Sequence, residues 1–172
     1  LKSSRALLVL LADNLEPDME SATRMLLRSL GIKNYTIAQE KTVNQKDLRE
    51  KDILMVGYPQ RKEVFLKLPQ QVAIKPHSFT LNQHTYNRPT DVFFGVFGHP
   101  HRKDRVTALF LPLSSSHAEE VARKVTHYGK YSYLAFQEGS NRAKGFWSTE
   151  KSPLEYRWLQ DDRTMSLIST TE

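Results

Sequence analysis

The chain has 172 residues, 39% hydrophobic and 26% charged, with 25 Lys and Arg against 19 Asp and Glu and a net charge of +6. That size can bury a core without metal or disulfide staples, and that charged fraction excludes wholesale disorder. Mean hydropathy is −0.54 and no apolar run nears the ~20 residues of a membrane span, so collagen, coiled-coil and membrane-channel architectures are excluded. There is no cysteine, which removes disulfides, thiol catalysis, zinc ribbons and iron–sulfur clusters. The basic excess favours anionic partners in general. The basic residues are scattered, however. The densest cluster, His101-Arg102-Lys103-Asp104-Arg105, has an acid inside it and reads as a solvated turn.

Ala6 to Ala12 is a continuous apolar run, the pattern of a strand buried on both faces. Pro17, with Glu16, Asp18 and Glu20 around it, marks a helix start. Met19, Ala22, Met25, Leu26 and Leu30 then form one stripe at helical spacing, and Gly31 is the stop. Tyr35 to Ala38 is a short strand. Asn44 caps a short helix to Lys51, and Ile53 to Gly57 is another apolar strand ended by Tyr58-Pro59. Lys62 to Leu68 reads as a helix with Val64, Phe65 and Leu68 inward. Strands alternating with helices predict a parallel α/β sheet.

Ser78 to Leu81 and His84 to Tyr86, around Asn82-Gln83, predict a small peripheral hairpin. Asp91 to Gly98 and Val106 to Leu113 predict two long antiparallel strands joined by the turn His99 to Arg105. Ser116 with Glu119 reads as a capping box, followed by the stripe Ala118, Val121, Ala122, Val125, Tyr128 and a stop at Gly129. Tyr131 to Phe136 and Ala143 to Trp147 predict a second hairpin, turning at Glu138-Gly139-Ser140-Asn141. Leu154 to Leu159 is an extended piece before a polar tail. The expected architecture is one α/β domain over 1–160 with a tail at 161–172. It is three-layered, with a mixed, mostly parallel sheet of six or seven strands and helices on both faces. The first half is flavodoxin-like or Rossmann-like and the second half is rich in antiparallel hairpins.

In open α/β sheets ligands bind outside the carboxyl ends of the parallel strands. Asp13 and Asn14, Tyr58, and Ser114, Ser115 and Ser116 stand at three such ends and can line one crevice for a small ligand or an anion. The first strand–helix turn has no glycine and is acidic, which argues against a dinucleotide. There is no P-loop, no G-x-S-x-G and no HExxH. His99-x-His101 lies on a polar turn and reads as a solvated pair, not a metal site. Tyr128, Tyr131, Tyr133, Phe136, Phe146, Trp147, Tyr156 and Trp158 interleave with Lys130, Arg142, Lys144 and Arg157 near the end. With no RNP-like motif, nucleic acid is not the expected partner. Docking onto a protein surface suits such a mixture better, with Tyr131, Tyr133, Arg142, Phe146 and Trp147 as the expected contact residues. No cofactor and no metal are expected, and no catalytic residue stands out.

Several segments recur together: Asp52-Ile53-Leu54-Met55-Val56-Gly57-Tyr58-Pro59, Phe79-Thr80-Leu81-Asn82 with Tyr86, Pro89 and Asp91, and Val96-Phe97-Gly98-His99-Pro100. They continue through Arg105-Val106, Ala108-Leu109-Phe110-Leu111 and His127-Tyr128-Gly129-Lys130-Tyr131-Ser132-Tyr133-Leu134. This pattern resembles the non-catalytic α/β accessory domains of some bacterial peptidases, above all the aminopeptidase N-type gluzincins. It covers about two thirds of the chain. In such proteins the zinc motif lies on another domain, so none of the family's catalytic residues maps onto this sequence. The resemblance implies an accessory domain that docks on its neighbour in an exported or envelope-associated protein. The abrupt opening on a core strand after Leu1 fits a segment of a longer polypeptide.

Overall fold

The computed structural model describes residues 6–147. The expected extended piece Leu154 to Leu159 and the tail at 161–172 lie outside the described residues. In chain order the elements are β1 (Leu7–Leu11), α1 (Met19–Ser29), β2 (Tyr35–Gln39), α2 (Gln45–Glu50), β3 (Asp52–Val56) and α3 (Lys62–Phe65). Then come β4 (Val72–Lys75), β5 (Ser78–Leu81), β6 (His84–Tyr86), β7 (Val92–Gly98) and β8 (Val106–Pro112). The chain continues through α4 (Ala118–Lys124), a 3₁₀ turn Val125–Tyr128, β9 (Tyr133–Gln137) and β10 (Ser140–Gly145).

The fold is of the α/β class. Seven strands form one mixed sheet in the order β10-β9-β7-β8-β3-β1-β2, and β4-β5-β6 form a separate three-stranded sheet. The parallel pairs are β1–β2, β1–β3 and β3–β8; the antiparallel pairs are β7–β8, β7–β9 and β9–β10. The sheet is thus evenly divided, where a mostly parallel one was expected. β7 joins β8 through His99 to Arg105, too short a connection for the crossover that parallel pairing needs, so the two strands pair antiparallel.

α1 and α4 pack side by side on one face of the large sheet, over Val9, Val56, Phe110 and Phe136. α1 ends in a full Schellman arrangement: the Gly31 amide donates to the Arg28 carbonyl and the Ile32 amide to the Leu27 carbonyl, with Gly31 at φ 67°. Helices were expected on the second face too, and the short α2 and α3 pack there through Leu48 and Phe65, but they share that face with the small sheet. The β5–β6 hairpin is therefore not peripheral. Phe79, Leu81 and Tyr86 are buried, and Phe79 stacks on Tyr86 at 4.6 Å and packs on Phe93 at 5.4 Å. β4 was not anticipated from sequence. Its Val72 and Ile74 point inward and Ala73 and Lys75 outward, the period of a one-faced strand.

Three local expectations need correction. α3 stops at Phe65 because Leu66 is already extended and Pro69 follows, which a helix to Leu68 would not allow. The capping box at Ser116 does not form. His117 is the N-cap residue of α4, while Glu119 pairs with Arg123 at 2.5 Å and accepts from Ser21 Oγ at 3.3 Å. The β9–β10 turn is the two residues Glu138-Gly139, both at positive φ, so β10 begins at Ser140. Asn44 does cap α2, its Oδ1 accepting from the Asp47 amide at 2.7 Å.

Candidate functional site

β1, β3 and β8 are neighbouring parallel strands, and the loops leaving their carboxyl ends enclose a crevice of about 250 Å³. Asn14, Tyr58 and Ser114 line it, with Glu16, Gln60 and His77. Gly57 lets the loops meet. It sits at φ 86°, and a Cβ there would fall 2.7 Å from Leu15 Cδ1 and 2.9 Å from Ala12 Cβ.

Three of the six predicted crevice residues thus come together and three do not. Asp13 turns away, its Oδ1 accepting from the Lys41 amide at 3.2 Å. Ser115 and Ser116 do not line the crevice. The Ser115 amide, the group an anion would need, donates to Glu16 Oε2 at 3.0 Å. The Ser115 hydroxyl and amide together hold the Glu16 carboxyl below its ordinary range. The seat for an anion at the start of α4 is therefore filled by the protein's own carboxylate. Ser114 Oγ donates to the Pro89 carbonyl at 2.8 Å, lies 2.9 Å from Ser116 Oγ, and accepts from the Ser116 amide at 3.3 Å. A hydroxyl whose proton goes to a main-chain carbonyl has no general base to activate it. The volume is also below the ~300–1,000 Å³ of typical small-molecule sites.

The expected docking residues divide between the two faces of the sheet. Tyr133 is buried, its hydroxyl accepting from Asn82 Nδ2 at 3.0 Å. Its ring lies across Gly145, where a Cβ would come within 2.4 Å of the Tyr133 hydroxyl. The Trp147 indole N–H donates to the Val96 carbonyl at 2.7 Å, and the ring packs on Phe97 at 5.1 Å and on Tyr133 at 4.7 Å. Tyr133 is thus part of the core, while Trp147 is half-buried against it and lines a surface pocket of about 360 Å³ with Leu68, Pro69 and Pro100. Side chains alternate across a strand, so Lys144 and Phe146 fall on the opposite face from Trp147. Arg142 is exposed at the β10 bulge, where the register shifts between Asn141 and Ala143. On the helix-bearing face Phe146 is 64% exposed and packs only loosely on Tyr131, at 5.6 Å. Lys130 and Lys144 ammonium groups stand 5.3 and 5.4 Å from the Tyr131 ring. Next to them a groove of about 530 Å³ is lined by Leu30, Phe94, Val96, Tyr128, Tyr131 and Leu134. Tyr156, Arg157 and Trp158 lie outside the described residues.

Of the His99–His101 pair, expected to be solvated, His101 is exposed and His99 is not. His99 is buried; its Nδ1 accepts from the His101 amide at 3.1 Å, so Nε2 carries the proton and donates to the Leu48 carbonyl at 2.9 Å. His101 Nε2 reaches the Val64 carbonyl at 2.9 Å. One turn thereby fastens α2 and α3 to the sheet. Burial is the main cause that lowers the His99 pKa, with the charges of His101 and Arg102 adding to it; the bond to Leu48 and the charge of Asp52 oppose it. Among the described residues no group of three or more His, Cys, Asp or Glu is placed to hold a metal.

Sequence reading missed Glu40, which is fully buried after β2. Its carboxylate accepts from the Gln60 amide at 3.0 Å and the Arg61 amide at 2.5 Å, and the Arg61 guanidinium donates to its main-chain carbonyl. A lone acid in a polar stretch carries no signal of this kind; only the meeting of two distant loops creates it.

The geometry defines an α/β domain with a small polar crevice and an apolar, cation-fringed surface. No protein-family model matches the chain, and no curated protein matches it in sequence. No helix among the described residues is long and apolar enough to cross a membrane.

Proposed function

We propose that the chain is a non-catalytic interaction domain that docks onto an adjacent domain of the same polypeptide through the Phe146–Tyr131 end of its sheet. The observation that carries this reading is the 64% exposure of Phe146 beside the apolar groove, where the other Phe, Tyr and Trp side chains among the described residues are buried or half-buried. Covering the rest of one such ring contributes on the order of 2 kcal/mol, and exposed aromatics rimmed by cations are the usual anchors of interfaces. The sequence resemblance supplies the context: an exported or envelope-associated bacterial peptidase-like parent whose zinc motif lies on that other domain.

The test is to read the open frame around the chain and produce its neighbouring segment as a separate protein. The expected result is binding in trans that Phe146→Ser weakens at least about tenfold. A frame that encodes no further domain, or binding that Phe146→Ser leaves unchanged, overturns the reading. The convergence of Asn14, Tyr58 and Ser114 favours a second reading, a site for a small neutral or cationic polar ligand, since Glu16 repels anions. A fragment screen that shifts the Gly57 and Tyr58 amide resonances would support it; no shift there would discard it.

A further inference from the structure

The two edges of the large sheet are built differently. β10 is guarded: it has a bulge between Asn141 and Ala143, carries Arg142 and Lys144, and its Asn141 side chain donates to the Ala135 and Ala143 carbonyls. These are the devices by which edge strands avoid further pairing. β2, at the other edge, has none of them. Its sequence Tyr-Thr-Ile-Ala-Gln has no charge and no proline, and it pairs with β1 in unbroken register over Tyr35–Gln39. Ile37 is 40% exposed and, with Phe146, is one of the two large apolar side chains that stand exposed among the described residues.

The outward main-chain groups can be assigned. The Asn34 carbonyl accepts from the Leu7 amide at 3.1 Å and the Glu40 amide donates to the Leu11 carbonyl at 2.9 Å, so even-numbered positions face β1. The amide and carbonyl of one residue in an extended strand point to the same side. Tyr35 and Ile37 therefore present both groups outward, and Gln39 its amide; the Gln39 carbonyl is taken by the Thr42 and Val43 amides. Beside this edge, between β2 and the end of α1, lies a pocket of about 420 Å³ lined by Arg24, Leu27, Arg28, Ile32, Lys33 and Tyr35. Arg24 is paired with Glu20 at 2.6 Å. Arg28 and Lys33 are exposed and have no ion-pair partner among the described residues.

From this juxtaposition we infer that β2 is an acceptor edge for an extended acidic peptide segment, which adds as an eighth strand and places carboxylates against Arg28 and Lys33. Main-chain bonds to Tyr35 and Ile37 would supply the pairing, Ile37 a small apolar contact, and the basic pocket the selection for acid. A second copy of this chain fits less well. An antiparallel two-fold pairing centred on Ile37 sets Lys33 opposite Lys41 of the other copy at both ends, and like charges directly opposed destabilise a pair. The surface lies at the far edge of the sheet from Phe146. It therefore stands or falls independently of the docking reading above.

The experiment is fluorescence anisotropy with two labelled octapeptides of alternating valine, one with four glutamates and one with four lysines, titrated with the chain at low and high salt. The acidic peptide should bind at least about tenfold more tightly than the basic one and lose affinity with salt. Ile37→Pro removes an outward amide without breaking a bond to β1, and should abolish binding. The exposed double change Arg28→Glu with Lys33→Glu should weaken it at least about tenfold. In the unaltered protein, hydrogen exchange of the Tyr35 and Ile37 amides should slow when the acidic peptide is added, a readout that needs no variant. Equal binding of both peptides, no binding, binding that survives Ile37→Pro, or self-association by sedimentation that Ile37→Pro abolishes would each overturn the inference.

Discussion

Removing the Glu40 carboxylate is the sharpest test of how the structure is held at the carboxyl end of the sheet. The group is fully buried and accepts two main-chain amides, from Gln60 and Arg61, on the loop that leads into α3. A hydrogen bond to a charged group contributes ~1.5–3 kcal/mol, and a buried donor left without a partner costs ~1–3 kcal/mol. Glu40→Ala loses both bonds and strands both amides, an expected loss of ~3–5 kcal/mol from a typical native stability of ~5–15 kcal/mol. Glu40→Gln keeps the shape and one acceptor oxygen but turns an NH₂ toward the second amide, for ~2–3 kcal/mol. Urea unfolding followed by tryptophan fluorescence and far-ultraviolet circular dichroism gives both values. The slope with urea should stay that of the unaltered chain, because the surface exposed on unfolding does not change. A Glu40→Gln variant within ~0.5 kcal/mol of the unaltered chain would refute the argument, since that is the range of an ordinary surface substitution.

Two other predictions follow from the site geometry. Because burial lowers the His99 pKa in the folded chain, the unfolded chain takes up a proton first as pH falls. The stability present above the ordinary histidine pKa of ~6.5 should therefore decline as pH drops from there through the lower folded value. His99→Gln, which can still donate to the Leu48 carbonyl, should flatten that part of the profile in urea melts at pH 7.5 and pH 5; an unchanged slope would show that His99 is not its source. Trp147→Ala should cost ~3–5 kcal/mol, because the ring packs on Phe97 and Tyr133 and its N–H holds the Val96 carbonyl. Phe146→Ala should stay within ~0.5 kcal/mol. Similar melting shifts for the two would contradict their placement on opposite faces.

Much of the architecture is legible in residue patterns. The Ala6 to Ala12 run, the α1 stripe with its Gly31 stop, the Asn44 cap, the β7–β8 pair and the β9–β10 hairpin all depend on local rules of burial period and turn chemistry, and all are present. The candidate crevice is half legible. Strand order at a parallel sheet's carboxyl edge brings Asn14, Tyr58 and Ser114 together, and the apolar runs that precede them place them at those strand ends.

What the chain's local patterns determine is which segments are strands and helices and which face of each is apolar, because those follow from period and propensity along the backbone. Tertiary structure alone decides where each polar or aromatic group spends its bonding capacity. Glu16 fills the amide of a residue 99 positions away, Glu40 meets the loop after β3, and His99 reaches the Leu48 carbonyl, 51 positions distant. Tyr133 leaves the surface because Gly145 offers its ring a packed seat, and Trp147 is half-buried on Phe97. Such contacts depend on loop closure and on which sheet covers which face, and neither is written in the spacing of a single segment.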